Sequence, residues 1–225
     1  MPDASASMPR PRRGTSVGHR TRPLNRQSIV AAAIALIERE GPEALSMRRL
    51  GRRLGVEAMA LYHHFANRDE LIAAIADDLL APLDEIEPAG DWSDACRRFA
   101  TALRNVAVEH PATFRLVGLQ PFDSASALGP VERLLQVLVR DGCTPARALA
   151  IYRAVVSYAR GYALAEATGF TVDATQPSGR RRLAALPAEE FPVLCGRAHE
   201  LGTVQADDAY SLGLDAMLRG LADGA

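Results

Sequence analysis

The sequence contains no lysine, few aromatic residues and only three cysteines among its 225 residues. All 26 basic residues are arginines, a bias that is typical of GC-rich coding sequences. The cysteines Cys96, Cys143 and Cys195 lie far apart and form no C-x-x-C pair. This spacing argues against a disulfide framework and against a cysteine zinc site.

Long hydrophobic runs are also lacking. The first 28 residues contain no apolar run of the kind that a signal peptide needs. The most apolar later stretch, Ala148 to Ala167, is interrupted by Arg153 and Arg160. It therefore predicts a buried or interface helix rather than a membrane span, and we expect a cytoplasmic protein without a membrane partner.

Sequence signatures of catalysis and metal binding are missing as well. There is no H-E-x-x-H, no G-x-S-x-G and no glycine-rich phosphate loop. The adjacent His63 and His64 cannot share one helix face, and His110 and His199 are isolated. The sequence thus predicts no catalytic residue, no metal site and no cofactor.

Charge is distributed unevenly along the chain. Residues 1–68 contain 12 Arg against 5 Asp and Glu, whereas residues 69–225 contain 14 Arg against 22 acidic residues. A basic N-terminal third on an acidic body is typical of a nucleic-acid-binding head on a separate module. Residues 1–23 lack periodicity and predict a disordered basic arm, which either contacts DNA or is a solvated tail.

The segment from Leu45 to Leu71 predicts two short helices joined by a tight turn. The first is expected from about Ser46 to Leu54, where Gly55 ends it in the left-handed conformation. The second is expected from about Glu57 to His64. This layout is that of a helix-turn-helix, whose second helix enters a DNA major groove.

The rest of the chain also predicts helices, and no strand-type alternation of useful length occurs. A first helix is expected from Asn25 to Glu40, and Asn67 is expected to cap a helix to Leu83, with Glu70 completing a capping box. The fold class is therefore all-α, with a three-helix head at residues 24–70 on a larger helical domain at 71–225. Further helices are expected at about 92–109, 111–119, 126–141, 144–168, 188–201 and 206–222, with a long loop at 170–187.

The run L-G-V-x-x-x-x-L-Y-x-H-F-x-N-R-x-x-L, together with the first helix, resembles the DNA-binding signature of the TetR (tetracycline repressor) family over residues 24–83. The later half resembles the tetracycline-repressor branch in its helix order, in the segment from His110 to Phe114 and in the loop before the last two helices. The resemblance implies a homodimer with a ligand-binding and dimerisation domain.

By this resemblance, the recognition surface should contact a palindromic DNA operator. Arg48 should read a base, guanine by its bidentate geometry, and Arg68 should contact the backbone. The remaining expected DNA contacts are thymine methyl contacts from Ala58, Met59 or Ala60, and phosphate or base-adjacent contacts from Tyr62, His63 and His64.

The same resemblance places a small-molecule effector of unknown identity among the later helices. Tyr158 and Tyr162 share one helix face and offer hydroxyls, while Arg104 and His110 are candidate polar anchors. The predicted ligand-binding residues are Phe99, Leu103, Arg104, His110, Phe114, Phe122, Leu138, Tyr158 and Tyr162. A magnesium–tetracycline chelate is not expected, because the metal-binding His of that branch aligns on the segment Arg115 to Gly118, which has no His.

Dimerisation is expected through the last helix and the long helix from Thr144 to Thr168. The apolar positions expected in the interface are Leu214, Met217, Leu218 and Leu221, with Ile151, Val155 and Leu164. The function that follows is a repressor released from its operator by a small molecule. Two alternatives remain open: an architectural DNA-binding protein without an inducer, and an enzyme on an all-α scaffold.

Overall fold

The computed structural model describes residues 24–85, 90–118, 120, 124–170 and 174–223. Within these ranges the chain forms α-helices, with short 3-10 turns and no strand, which confirms the predicted all-α class. The basic arm at 1–23 and the predicted ligand residue Phe122 lie outside the described residues. The helices are α1 (Arg26–Glu40), α2 (Met47–Leu54), α3 (Ala58–Tyr62), α4 (Arg68–Leu80), α5 (Trp92–Glu109), α6 (Pro111–Val117), α7 (Ala125–Arg140), α8 (Pro145–Thr168), α9 (Pro177–Ala184), α10 (Pro192–Gly196), α11 (Ala198–Leu201) and α12 (Ala206–Asp223).

The head is built by α1 to α4 around one apolar core. Asn25 begins α1 with a reciprocal cap, because its side chain accepts from the Ser28 amide and the Ser28 hydroxyl accepts from the Asn25 amide. The side chains that fill the core are almost completely buried, which fixes the position of the short helices α2 and α3 on α1 and α4. They are Ile29, Leu36, Ile37, Leu50, Leu61, Phe65, Leu71 and Ile75.

The head differs from the sequence prediction at three helix ends. The recognition helix α3 ends at Tyr62, so His63 and His64 lie in the turn that follows. Asn67 caps α4 as predicted, but the Glu70 carboxylate accepts from the Ala66 amide at 2.6 Å instead of completing the capping box. α4 itself ends at Leu80 and continues as a 3-10 turn, because Pro82 has no amide hydrogen to extend the helical ladder.

The body packs α5 against α8, with α6, α7 and α12 around this pair. Its core side chains, which are at most 3 % exposed, include Phe99, Leu103, Phe114, Leu138, Ile151 and Val155. Within the described ranges, no helix is long and apolar enough to cross a membrane.

The segment between α8 and α12 was predicted incorrectly. The expected loop at 170–187 contains α9, which begins at Pro177, a residue well suited to the first turn of a helix. The single helix expected at 188–201 is instead the two short helices α10 and α11. Pro192 begins α10, since a proline in a helix interior would break the hydrogen-bond ladder.

Helix α6 joins the head to the body. The Glu38 carboxylate of α1 accepts hydrogen bonds from the Thr113 amide at 2.7 Å and the Thr113 hydroxyl at 2.6 Å. At the other end of α6, the Arg160 guanidinium of α8 donates to the Gly118 carbonyl at 2.8 Å. The orientation of the head thus depends on a helix that is held from both sides.

Candidate functional site

The two helices of the helix-turn-helix cross at a glycine. Gly51 in α2 is buried, and a Cβ added there would lie 2.9 Å from the Val56 carbonyl oxygen and 3.2 Å from the Ala58 amide nitrogen. Gly55 ends α2 with φ of 72°, in the left-handed region. These two positions allow α3 to start directly against α2 and to project outward.

The outer face of α2 and α3 carries unpaired positive charge. Arg48, Arg52 and Arg53 are exposed and form no ion pair with any residue that the structure describes. Met59 is 64 % exposed and Tyr62 is 43 % exposed, although both lie on a helix that buries Leu61 completely. Guanidinium groups beside an apolar and a phenolic side chain suit phosphate contact together with base-edge contact.

Arg49 differs from these three arginines because it pairs with Glu40 of α1, which also binds Arg39. The hydrogen bond from Arg39, followed by the charge of Arg49, lowers the pKa of the Glu40 carboxyl. Arg49 therefore helps to hold α2 on α1, and it is less available to a phosphate.

Another arginine, Arg26, which the sequence analysis did not single out, positions the turn after α3. Arg26 donates to the His64 carbonyl and to Glu70 at 2.8 Å, and its guanidinium lies 4.2 Å from the centre of the Phe65 ring. The amide of Ala66 and the guanidinium of Arg26 lower the pKa of Glu70. The predicted backbone contact Arg68 is exposed, and its Nε donates to the Leu45 carbonyl at 3.3 Å.

Several of the predicted ligand residues pack into the core of the body. Phe99, Leu103, Phe114 and Leu138 belong to the hydrophobic core of the body. His110 is partly buried at the junction of α5 and α6. These side chains stabilise the packing of the body, and their role in binding a ligand stays a prediction.

The Tyr158 and Tyr162 hydroxyls hold the first turns of α12. Tyr158 donates to the Tyr210 carbonyl and Tyr162 donates to the Ala206 carbonyl, both at 2.7 Å. The Tyr158 and Tyr210 rings stack with centroids 5.4 Å apart. Both hydroxyl protons are therefore already donated to backbone, and burial raises the pKa of each phenol.

Arg104 forms a buried ion-pair network rather than a free anchor. Its Nε and Nη2 donate to both oxygens of Glu166 at 2.5 and 2.6 Å, and Nη2 also donates to Asp207 at 2.6 Å. The guanidinium lies 4.8 Å from the centre of the Tyr210 ring. The bond to Glu166 raises the pKa of Arg104 despite its desolvation. The network ties α5 to α8 and α12.

A cleft of about 630 Å³ lies beside this network, between the C-terminal half of α8 and the start of α12. We call it the α8–α12 cleft. Tyr162 is the predicted ligand residue that lines it; the sequence analysis missed the others, because most lie in segments that were taken for loop. The lining residues are Tyr162, Glu166, Gly169, Phe170, Ala174, Thr175, Leu201, Val204, Gln205, Ala206 and Ala209. Among the described residues, no cluster of three or more His, Cys, Asp or Glu could hold a metal ion.

The predicted dimer residues all lie in the core of the protomer or pack against it. Leu214, Leu218, Ile151 and Val155 are at most 2 % exposed and fill the core of the protomer, so their assignment to an interface was wrong. The outward faces carry other residues. On α8 these are Ala146, Leu149, Ala150, Arg153, Ser157 and Gly161, and on α12 they are Leu212, Ala216, Arg219 and Gly220.

Comparison with known proteins agrees with this arrangement of head and body. The sequence profile described as "Bacterial regulatory proteins, tetR family" matches residues 29–75, and the one described as "Tetracyclin repressor-like, C-terminal domain" matches residues 85–224. An HTH-type transcriptional regulator of Saccharopolyspora erythraea is 32 % identical over 181 residues, covering 79 % of this chain and 76 % of the relative.

Two further relatives are known by name. The tetracycline repressor protein class G of Vibrio anguillarum is 28 % identical, covering 88 % of this chain and 93 % of the relative. The crystal structure of the Streptomyces coelicolor protein ActR in complex with (S)-DNPA superposes with a TM-score of 0.74 at 29 % identity, covering 91 % of this chain and all of ActR. With a profile that matches more than half of its length, the chain belongs to the TetR family of bacterial regulatory proteins.

Proposed function

We propose that this DNA-binding transcriptional regulator acts in the cytoplasm as a homodimeric repressor, and that it leaves a palindromic operator when a small molecule binds the body. The observation that carries the proposal is the exposed face of Arg48, Arg52 and Arg53, which form no ion pair with the described residues, on a head that is clamped to the body through α6. A ligand that favours another head orientation lowers DNA affinity by a coupling free energy, typically ~1–3 kcal/mol.

The operator contacts follow from the exposed face. Arg48 reads guanine, Met59 or its alanine neighbours contact a thymine methyl, and Tyr62 and the turn at His63 and His64 contact the backbone. Arg68 contacts a phosphate while its Nε stays bonded to the Leu45 carbonyl.

The homodimer uses the outward faces of α8 and α12. Leu212 is 69 % exposed and Leu149 is 38 % exposed, although both lie on helices whose opposite faces are fully packed. Small residues between them, such as Ala150 and Ala216, allow helices of two protomers to approach closely. A two-fold arrangement of these helices forms an isologous four-helix interface.

Two relatives support a ligand-responsive rather than a purely architectural role. ActR is described in complex with (S)-DNPA and also with actinorhodin, and the Vibrio relative is described as a tetracycline repressor. An enzyme is disfavoured because Glu166, the carboxylate that lines the described part of the cleft, has both oxygens bound by Arg104 and is not free to act as a base.

The DNA part is tested by fluorescence anisotropy with a palindrome from the gene's own upstream region. Arg48→Ala should weaken binding by about 1–3 kcal/mol and relax one base position, whereas Arg68→Ala should weaken all sequences alike. If the wild-type protein binds the palindrome no more tightly than scrambled DNA, the proposal that it recognises a palindromic operator is contradicted.

The dimer part is tested by light scattering at micromolar concentration. Leu212→Glu should give a monomer, because it buries an unpaired charge in the interface. Val108→Glu is the matched control, since Val108 is 55 % exposed on α5, a helix outside the proposed interface. A monomeric wild type, or equal behaviour of both variants, refutes the proposed interface.

A further inference from the structure

We propose that the effector binds in the α8–α12 cleft and is a neutral, planar ring compound. This inference rests on the ligand-responsive function proposed above, and it adds both the place of binding and the chemical class of the ligand. Three features of the cleft lead to it: its aromatic wall, its closed ion-pair network and its contact with α12.

The wall of the cleft is suited to a flat ring. The Tyr162 and Phe170 rings lie edge to face in contact with each other, with centroids 5.1 Å apart, and together they form an aromatic part of the cleft wall. Leu201, Val204 and Ala209 provide aliphatic surface on the other sides. A planar ligand ring that packs against these aromatic and aliphatic side chains buries apolar surface and gains favourable aromatic contacts.

Glu166, a charged side chain that lines the described part of the cleft, is already bound by Arg104. Both oxygens of Glu166 are bound by Arg104, whose Nη2 also binds Asp207. A cationic ligand would have to compete with a bidentate guanidinium for Glu166. An anionic ligand would be placed beside the Glu166 carboxylate, at a cost in desolvation and repulsion. A neutral ligand meets neither cost.

Occupation of the cleft would act on the proposed dimer helix. Ala206 and Ala209 line the cleft from the first turn of α12, while Tyr162 holds the Ala206 carbonyl from the opposite wall. A ring inserted between these two walls changes their separation, and α12 is the element that carries Leu212. The cleft is thus connected to the relative position of two protomers, and through it to the separation of the two heads.

The ligand class is tested with three anthraquinones that differ in one substituent. The probes are 2-(hydroxymethyl)anthraquinone, which is neutral, anthraquinone-2-sulfonate, an anion, and 2-(aminomethyl)anthraquinone, a cation at pH 7. Full-length dimer is titrated with each probe by isothermal calorimetry at micromolar concentration. The neutral probe should bind at least ten-fold more tightly than either charged probe. Equal binding of all three, or tighter binding of a charged probe, overturns the proposed class.

The place of binding is tested with variants of the lining. Phe170→Ala removes one ring of the wall, and Val204→Trp fills the cleft from an exposed position on its rim; each should weaken the neutral probe at least ten-fold. Val139→Ala is the control, because Val139 is 44 % exposed in a separate groove of about 530 Å³ between α7 and α8. A loss with Val139→Ala, or no loss with Val204→Trp, overturns the assignment to the cleft.

Release of operator DNA is measured separately with the same probe. If the neutral probe binds wild type, Val204→Trp blocks this binding, and no DNA is released, the cleft and its ligand class are supported. The proposed induction is then contradicted. Release of DNA by the probe from both wild type and Val204→Trp supports induction but overturns the cleft. The two proposals can therefore fail independently.

Discussion

The arginines on the outer face of the head and the buried arginine of the body are used in opposite ways. Arg48, Arg52 and Arg53 in the head are exposed and make no ion pair within the described chain. Arg104 in the body has a side chain only 8 % exposed and is bound to Glu166 and Asp207. The first arrangement leaves charge available for phosphates, and the second uses charge to fix three helices around a cleft. In a chain without lysine, the position of the neighbouring carboxylates decides which role an arginine has.

The largest effect is expected at Gly51, where the backbones of α2 and α3 are in close contact. Gly51→Ala places a methyl group 2.9 Å from the Val56 carbonyl oxygen, which is backbone and cannot move aside easily. Overpacking of this kind should lower the free energy of unfolding of the head by about 1–3 kcal/mol, and operator binding should fall with the population of correctly paired α2 and α3. Thermal unfolding and anisotropy measure the two effects.

Gly196→Ala is the matched control for this prediction. A Cβ at Gly196 meets nothing within 4 Å, and alanine is the better helix former. Gly196→Ala should therefore bind the operator like wild type. Unchanged binding by Gly51→Ala would show that the turn between α2 and α3 adapts more readily than the close contact implies.

The head was the more predictable region, because its signals are local. Asn67 and Gly55 mark helix ends within a few residues and act as predicted, whereas Asn25, predicted as the first residue of α1, is its N-cap. The body depends on contacts between distant segments: Arg104 pairs with residues 62 and 103 positions away. No local pattern shows such pairing, so the sequence offered Arg104 as a ligand anchor. The glycine and prolines of residues 170–187 likewise indicated a loop, so α9 was not predicted.

A second difference between the regions concerns the arm that precedes the head. Deleting residues 1–23 removes Arg10, Arg12, Arg13, Arg20 and Arg22. If they contact phosphates, the slope of log K against log salt should become less steep by about 0.9 for each lost contact. Anisotropy between 50 and 300 mM salt measures the slope. An unchanged slope identifies the arm as a solvated tail, and Arg→Gln at the five positions separates charge from chain length.

The junction between the regions should be sensitive to one carboxylate. Glu38→Ala leaves the amide and hydroxyl of Thr113 without their acceptor, and Thr113 is fully buried. An unsatisfied buried donor costs about 1–3 kcal/mol, so the free energy of unfolding should fall by that amount. Denaturant unfolding measures it, with the exposed Glu43→Ala as control. Equal stability of both variants would mean that water replaces Glu38 at α6.

Within the body, a smaller effect is expected from single hydroxyls. Tyr158→Phe and Tyr162→Phe each remove one hydrogen bond to a carbonyl of α12 and keep the ring. Each should cost about 0.5–1.5 kcal/mol of unfolding free energy and leave operator affinity of the unliganded protein unchanged. Hydrogen exchange of α12 amides should increase in both variants. Unchanged exchange would show that ring stacking alone holds the helix.

The smallest expected effect is a difference between the two regions in how their stability depends on pH. Burial raises the pKa of the Cys96 thiol in α5 to about 12, from an ordinary value of 9.0, and burial also raises the pKa of Tyr158 and Tyr162. Because these groups hold their protons more tightly when folded, the stability they contribute is present below about pH 9 and is lost as pH rises toward 12. The shifted carboxyls of the head, Glu40 and Glu70, have lowered pKa values, so their contribution is lost only in acid, below about 4.5.

Alkali should therefore open the body before it affects these head contacts. Iodoacetamide labelling followed by mass spectrometry measures this: Cys96 should stay unlabelled at pH 9 and become reactive as the pH approaches 11. The partly exposed Cys195 serves as the internal reference. The loss of stability should be seen in the fluorescence of Trp92, the single tryptophan, which begins α5. Labelling of Cys96 at the rate of Cys195 at pH 9 would contradict this prediction, because it would show that the α5–α8 core opens without ionisation.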